Sequence, residues 1–177
     1  RSAPAVLAQQ ARTIVKPRTE DTIRVSVYAD NWFAMFVNGK LVAVDPIEFL
    51  PHNIVTFDLL PEYPMTIAIL AKDNADPATG MEYGDQIGDG GFILKMSDGT
   101  ASSSVWKAKA YFTAPTTKGG ARHEPIPDNW FAVDFDDRAW AAATAYAASQ
   151  VRPPTTFRAA DFAGAQFLWS GDLARDN

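Results

Sequence analysis

The sequence predicts an all-β fold, a single sandwich or jelly roll with one short helix, and three observations predict it. Short apolar and aromatic runs are separated by turn signals roughly every ten residues, the spacing expected of sandwich strands. The stretch Tyr28-Ala-Asp-Asn-Trp-Phe-Ala-Met-Phe-Val-Asn-Gly-Lys-Leu-Val-Ala43 passes through Asn38-Gly39. An Asn-Gly pair between two apolar runs marks a tight hairpin, because both turn residues must tolerate positive φ. Only Ala139–Ser149, alanine-rich and carrying Trp140, has the composition of a helix.

The elements follow in order. Residues 1–20 show little periodicity and end in the polar Lys16-Pro-Arg-Thr-Glu20, so they are expected to form an N-terminal arm or peripheral strand, with the domain proper over 21–177. From Thr22 the alternation of Ile23, Val25 and Val27 turns one apolar face of a strand inward. Strands are expected at Ile54–Leu59 and Met65–Ala71, joined by a loop because Pro61 and Pro64 break the ladder. Between Asp73 and Gly91 lies a long polar loop of the kind that carries function. Phe92–Met96 resumes a strand, Ser97-Asp-Gly-Thr100 is a turn, and Val105–Phe112 is the strand after it. A Pro/Gly/Thr-rich link over 114–127 leads to Trp130–Phe135, the helix over 139–149 and a last strand at Ala165–Ser170. The pentapeptide Asp-Asn-Trp-Phe-Ala occurs at 30–34 and again at 128–132, and both copies are expected to be strand entries of one type.

Composition excludes several classes. The 177 residues, 47% of them apolar, fit one domain with a full core. A formal net charge of −5 with no Lys/Arg run argues against a nucleic-acid partner. No apolar run approaches the roughly 20 residues of a spanning helix, so no membrane insertion is expected. The absence of cysteine removes disulfides, thiolate metal sites and thiol nucleophiles together. Ser2-Ala-Pro-Ala-Val-Leu-Ala-Gln-Gln10 has the small-residue spacing of a signal-peptide cleavage region, which makes a secreted protein, extracellular or periplasmic, the expectation.

Catalytic motifs find no support. There is no Gly-x-Ser-x-Gly elbow, and the serines at 102–104 have no adjacent base. His52 and His123 stand in Pro-containing loops without a ligand or relay partner at useful spacing. Gly88-Asp-Gly-Gly91 lacks the Lys-Ser/Thr pair of a phosphate cradle and precedes a strand, so it is a turn.

Four pieces, taken in order, resemble the galactose-binding-like jelly rolls, especially the sugar-binding accessory domains of bacterial rhamnosidases and β-galactosidases. They are Ala29-Asp-Asn-Trp-Phe-Ala-Met-Phe-Val-Asn-Gly-Lys40, Met65-Thr-Ile-Ala-Ile-Leu-Ala-Lys-Asp-Asn74, Gly88-Asp-Gly-Gly-Phe-Ile-Leu94 leading to Ser104-Val-Trp-Lys-Ala108, and Trp130-Phe-Ala-Val-Asp-Phe-Asp-Asp-Arg-Ala-Trp-Ala-Ala-Ala143. The resemblance spans most of 22–150 and thins beyond it. In such domains an aromatic followed by Phe-Asp-Asp-x-x-Trp joins a strand to a short turn whose Trp closes the core, which carries over to Phe135, Asp136, Asp137 and Trp140. Asp136 and Asp137 would then accept backbone N–H groups at a helix start.

The resemblance implies a non-catalytic, lectin-like carbohydrate-binding module, with a glycan or cell-surface polysaccharide as partner. Two alternatives stand beside it. One is a structural or adhesive subunit of an extracellular filament, matrix or surface layer, self-assembling through the N-terminal arm with its Val6, Leu7, Ile14 and Val15. The other is an accessory domain of a larger glycosidase. Of the five tryptophans, Trp32 and Trp130 are the candidates for stacking on a sugar, each preceded by an Asp-Asn pair able to read hydroxyls: Asp30 and Asn31, Asp128 and Asn129. The oxygens of Asp73, Asn74, Asp76, Glu82, Asp85 and Asp89 are candidate ligands for a structural Ca²⁺, which wants six to eight hard donors. They do not form an EF-hand, since Ala75 and Gly84 fall at its third and twelfth positions.

Overall fold

The computed structural model describes residues 17–46, 54–73, 76, 81–82, 86–88, 90–114 and 121–177. In chain order the strands are β1 (Ile23–Asp30), β2 (Trp32–Val37), β3 (Lys40–Val44), β4 (Ile54–Leu59), β5 (Ile67–Lys72), β6 (Met81–Glu82) and β7 (Gln86–Ile87). They continue with β8 (Gly91–Met96), β9 (Lys107–Ala108), β10 (Phe112–Thr113), β11 (Arg122–His123), β12 (Ala141–Ala142), β13 (Thr144–Tyr146) and β14 (Phe167–Trp169). The helix α1 (Ala148–Val151) and 3-10 turns at Thr19–Asp21 and Ala159–Phe162 complete the list. The protein is therefore mostly β, with one minor helix.

Two antiparallel sheets carry the core. One has five strands in the order β13-β14-β8-β1-β4, the other three in the order β3-β2-β5. Val25, Val27 and Ala29 of β1, Phe92, Leu94 and Met96 of β8, and Phe33, Met35 and Val37 of β2 belong to a single buried cluster. Period-two alternation delivers one apolar face of each strand to that shared cluster. Arg24 and Ser26, which alternate with Val25 and Val27, face the other way. The hairpin from β2 to β3 turns at Asn38 (φ 50°) and Gly39 (φ 75°), both left-handed as an Asn-Gly turn requires. Asn38 also locks the turn to its neighbour: its Nδ2 donates to the Glu62 carbonyl at 2.8 Å and its Oδ1 accepts the Thr66 N–H at 2.8 Å.

Three expected elements are replaced. The helix over 139–149 does not form, a single turn at Ala148–Val151 overlapping only its end; Ala141–Ala142 pairs with Lys107–Ala108, and Thr144–Tyr146 pairs with Phe167–Trp169. Helix propensity of the alanines loses here to cross-strand pairing by Thr144 and Tyr146, residues that suit a sheet. The strand over 105–112 is two short pieces, because a turn closed by the Trp106 N–H on the Ser103 carbonyl (2.9 Å) leaves Val105 83% exposed. The strand over 130–135 is a series of turns, closed by the N–H groups of Trp130, Ala132 and Phe135 on the carbonyls three residues earlier. Asp-Asn-Trp-Phe-Ala thus crosses from β1 into β2 at 30–34 and forms turns at 128–132. The first copy has strands on both sides to pair with, whereas the second follows Pro125 and Pro127 and has no ladder partner among the described residues.

Asp136, Asp137 and Trp140 do not take the roles the resemblance implies: no helix starts here, and Trp140 lies outside both buried core clusters. The Asp136 carboxylate accepts the Arg138 N–H at 3.2 Å, but chiefly it grips the Arg138 guanidinium at 2.8 and 2.7 Å. Trp140 packs edge-on against Phe135 and Tyr111, with ring centroids 5.4 and 6.0 Å away.

Several surface carboxyls titrate below their ordinary range. The Arg138 hydrogen bonds lower Asp136, and the Lys109 ammonium at 2.9 Å lowers Glu124. At Asp98 desolvation works upward, but the Tyr63 hydroxyl at 2.5 Å and the Thr100 N–H at 2.9 Å outweigh it. A folded-state pKa below the unfolded one stabilises above the ordinary carboxyl range, near 4, and that contribution is lost as pH falls through the folded value. The urea midpoint is therefore expected to hold from pH 7 to 5 and to fall below about 4. Asp136→Asn and Glu124→Gln together should shallow the acid fall, and an unchanged fall in that variant would contradict the assignment.

Candidate functional site

The outer face of the three-stranded sheet gathers the largest set of candidate residues. Along β2, Phe33, Met35 and Val37 enter the core, so Trp32, Ala34 and Phe36 point outward. The register places Leu41 opposite Phe36 and Val44 opposite Ala34 on β3. On β5 it places Ala68, Leu70 and Lys72 opposite Phe36, Ala34 and Trp32. Residues opposed across an antiparallel pair share a face, so this face is almost wholly apolar. It is only partly covered: Leu41 is 56% and Val44 40% exposed.

The turns over 128–135 lie on this face. Phe131 stacks on Phe36 with centroids 4.4 Å apart, and Trp130 meets Phe36 edge-on at 5.3 Å. Trp130 is half-buried, while Asp128 and Asn129 beside it are exposed. Trp32 is also half-buried, and its indole N–H donates to the Asp45 carbonyl at 3.1 Å, which fixes the ring at the far end of β2. The two tryptophans named from the sequence thus occupy one face.

Asp30 and Asn31 are placed differently. They are 2% and 1% exposed, at the cis peptide between β1 and β2. Asp30 accepts from the Asn31 Nδ2 at 2.9 Å and from the Tyr28 hydroxyl at 3.2 Å. The Asn31 N–H donates to the Lys72 carbonyl at 2.8 Å. The Asn31 backbone ties this junction to β5, and both side chains present almost no surface, so among the six candidate sugar-binding residues the accessible polar ones are Asp128 and Asn129.

Of the candidate calcium ligands, Asn74, Asp85 and Asp89 lie outside the described residues. Asp73 is 2% exposed at the end of β5, Asp76 is exposed, and Glu82 belongs to β6. Among the described residues no group of three or more His, Cys, Asp or Glu is placed to hold a metal ion. The strand ends do bring Asp30, Asp45 and Asp73 into the buried interior, each following or closing a strand.

Sequence reasoning missed Phe36, Leu41, Val44 and Phe131. The signal was present in β2, whose run Trp-Phe-Ala-Met-Phe-Val is apolar on both faces instead of alternating. Such a strand needs cover on its outer side, and the turns over 128–135 supply part of it. Among the described residues no helix is long and apolar enough to cross a membrane. Comparison of the chain with protein-family models, with curated proteins and with solved structures found no match.

Proposed function

We propose that this chain is a non-catalytic carbohydrate-binding module of the galactose-binding-like jelly-roll kind, acting outside the cytoplasm. One observation carries the reading: Trp32 and Trp130 share the partly open outer face of the three-stranded sheet with Phe36, Leu41 and Val44. A half-exposed aromatic face complements the C–H face of a pyranose, and contiguous exposed apolar surface marks a binding site. Asp128 and Asn129 stand beside Trp130 to read hydroxyls, and Asp30 and Asn31 stiffen the strand ends that carry Trp32. Calcium enters this reading as a loop-stabilising ion of the 73–89 segment.

The test is a glycan array probed in calcium and in chelator, followed by Trp32→Ala and Trp130→Ala. Each substitution is expected to weaken the strongest hit about tenfold, the ~1.4 kcal/mol of one lost stacking partner. Hits lost in chelator would support the ion; hits retained there would remove it from the site. A blank array for well-folded protein would overturn the carbohydrate reading.

One observation favours a second reading, a self-assembling structural or adhesive subunit. β3 is an edge strand of its sheet and carries the exposed Leu41 and Val44, a combination that pairs readily with another chain. The arm postulated to do the pairing lies in residues 1–16, outside the described residues. Size-exclusion chromatography with and without residues 1–16 separates the readings, because a monomer in both forms counts against assembly. An accessory role beside a catalytic domain is compatible with either surface.

A further inference from the structure

The outer face of the five-stranded sheet divides along β1. Toward Tyr28 it is apolar and covered, with Tyr28, Ile93 and Phe167 packed against Val151 and Phe162. Toward Arg24 it is polar and open. There Thr56, Ser26 and Lys95 are direct cross-strand neighbours on β4, β1 and β8, and Asp58 opposes Arg24 in the next row. Asp161, from the 3-10 turn over Ala159–Phe162, stands at one side. An open groove of about 540 Å³ is lined by Arg24, Ser26, Thr56, Lys95 and Asp161, with Asp58 held beside it by Arg24.

Its donors and acceptors are only partly spent. Arg24 uses Nε on Asp58 at 2.8 Å, and Lys95 holds the Gly99 carbonyl through one long bond of 3.3 Å. The side chains of Ser26, Thr56 and Asp161 engage in no hydrogen bond or ion pair among the described residues. Lys95 and Asp161 therefore line one groove without pairing, so a ligand hydroxyl can accept from the first and donate to the second. Two cations stand against two carboxylates, Asp58 and Asp161, which favours neither an anion nor a cation. The ligand this suits is neutral and rich in adjacent hydroxyls.

We propose that this groove is a second saccharide site, taking the edge of a neutral pyranose through neighbouring hydroxyls read by Ser26, Thr56, Lys95 and Asp161. The inference rests on the carbohydrate reading above and adds a second point of attachment. Because both sheets share one core, their outer faces look in opposite directions, and one molecule holds two glycan chains. Holding two chains multiplies weak single-site affinities into avidity.

The experiment is an amide and indole NMR titration with methyl α-galactopyranoside, methyl α-mannopyranoside, methyl β-glucopyranoside and glucuronic acid. It compares the natural chain with Ser26→Val/Thr56→Val and with Asp161→Asn. Valine suits an exposed strand position, and retained peak dispersion verifies folding. Saturable shifts at Ser26, Thr56 and Lys95 with a neutral glycoside are expected, weakened at least about tenfold in either variant, while the Trp32 and Trp130 indole responses persist. Shifts confined to the indoles would overturn the groove and leave the carbohydrate reading standing. No shift at either face with any glycoside would overturn both, and tighter saturation by glucuronic acid than by the neutral sugars would overturn the neutral ligand.

Discussion

Phe33→Ala is expected to cost about 3–5 kcal/mol of folding stability, enough to consume much of the roughly 5–15 kcal/mol that holds a domain of this kind. Phe33 is fully buried, on the inward face of β2, in the cluster to which both sheets contribute. Truncation removes a ring from the place where the sheets meet, and neighbours on rigid strands relax only partly into the space. The urea midpoint should drop in proportion, and the melting temperature should fall by on the order of 10 °C. Leu41→Ala, on the same hairpin but 56% exposed, should change stability by no more than about 0.5 kcal/mol. A loss under about 1 kcal/mol at Phe33 would mean that β2 presents the opposite face to the core, since a one-residue slip inverts every side chain.

Gly90→Ala should cost roughly 2–4 kcal/mol through a different mechanism, overpacking joined to a lost hydrogen bond. A Cβ at Gly90 would lie 2.6 and 2.7 Å from the Cε2 and Cζ2 atoms of Trp169. That indole is 7% exposed, and its Nε1 donates to the Asp176 carbonyl at 2.9 Å. The ring cannot yield without surrendering that bond, and Asp176 in turn accepts from the hydroxyls of Thr113 and Ser170. Lower stability together with an altered tryptophan emission is the expected result. Gly171→Ala, where nothing lies within 4 Å of the added atom, is the matched control. Equal stability of the two variants would remove the Gly90 contact from the account.

Much of the sheet structure could be read locally. The Asn38-Gly39 hairpin, the inward Val25 and Val27, and the bounds of Ile54–Leu59 all depend on neighbours in sequence, through turn chemistry and period-two alternation. What failed depends on partners far along the chain. The segment from Ala139 to Ala147 is helical by propensity, but Lys107–Ala108 and Phe167–Trp169 offer it ladders that no local window contains. The same limit separates the two copies of Asp-Asn-Trp-Phe-Ala. For the candidate site, residue type sufficed to select Trp32 and Trp130, whereas their common face follows from Phe36 meeting Trp130 across distant sequence. Burial of Asp30 and Asn31 was not legible, because short polar side chains at a strand end serve a ligand or the frame equally well until packing decides.

The order of strands in the larger sheet has a consequence for synthesis. β8 lies between β1 and β14, and β14 comes from residues 167–169, far along the chain from Gly91–Met96. Residues 100–102 bond to Leu94–Met96 as soon as they are made, so until β14 arrives the uncovered part of this edge is its Phe92 end. A nascent chain thus carries a short open stretch of ladder while everything between Met96 and Phe167 is made, a span in which a chaperone would find its natural substrate.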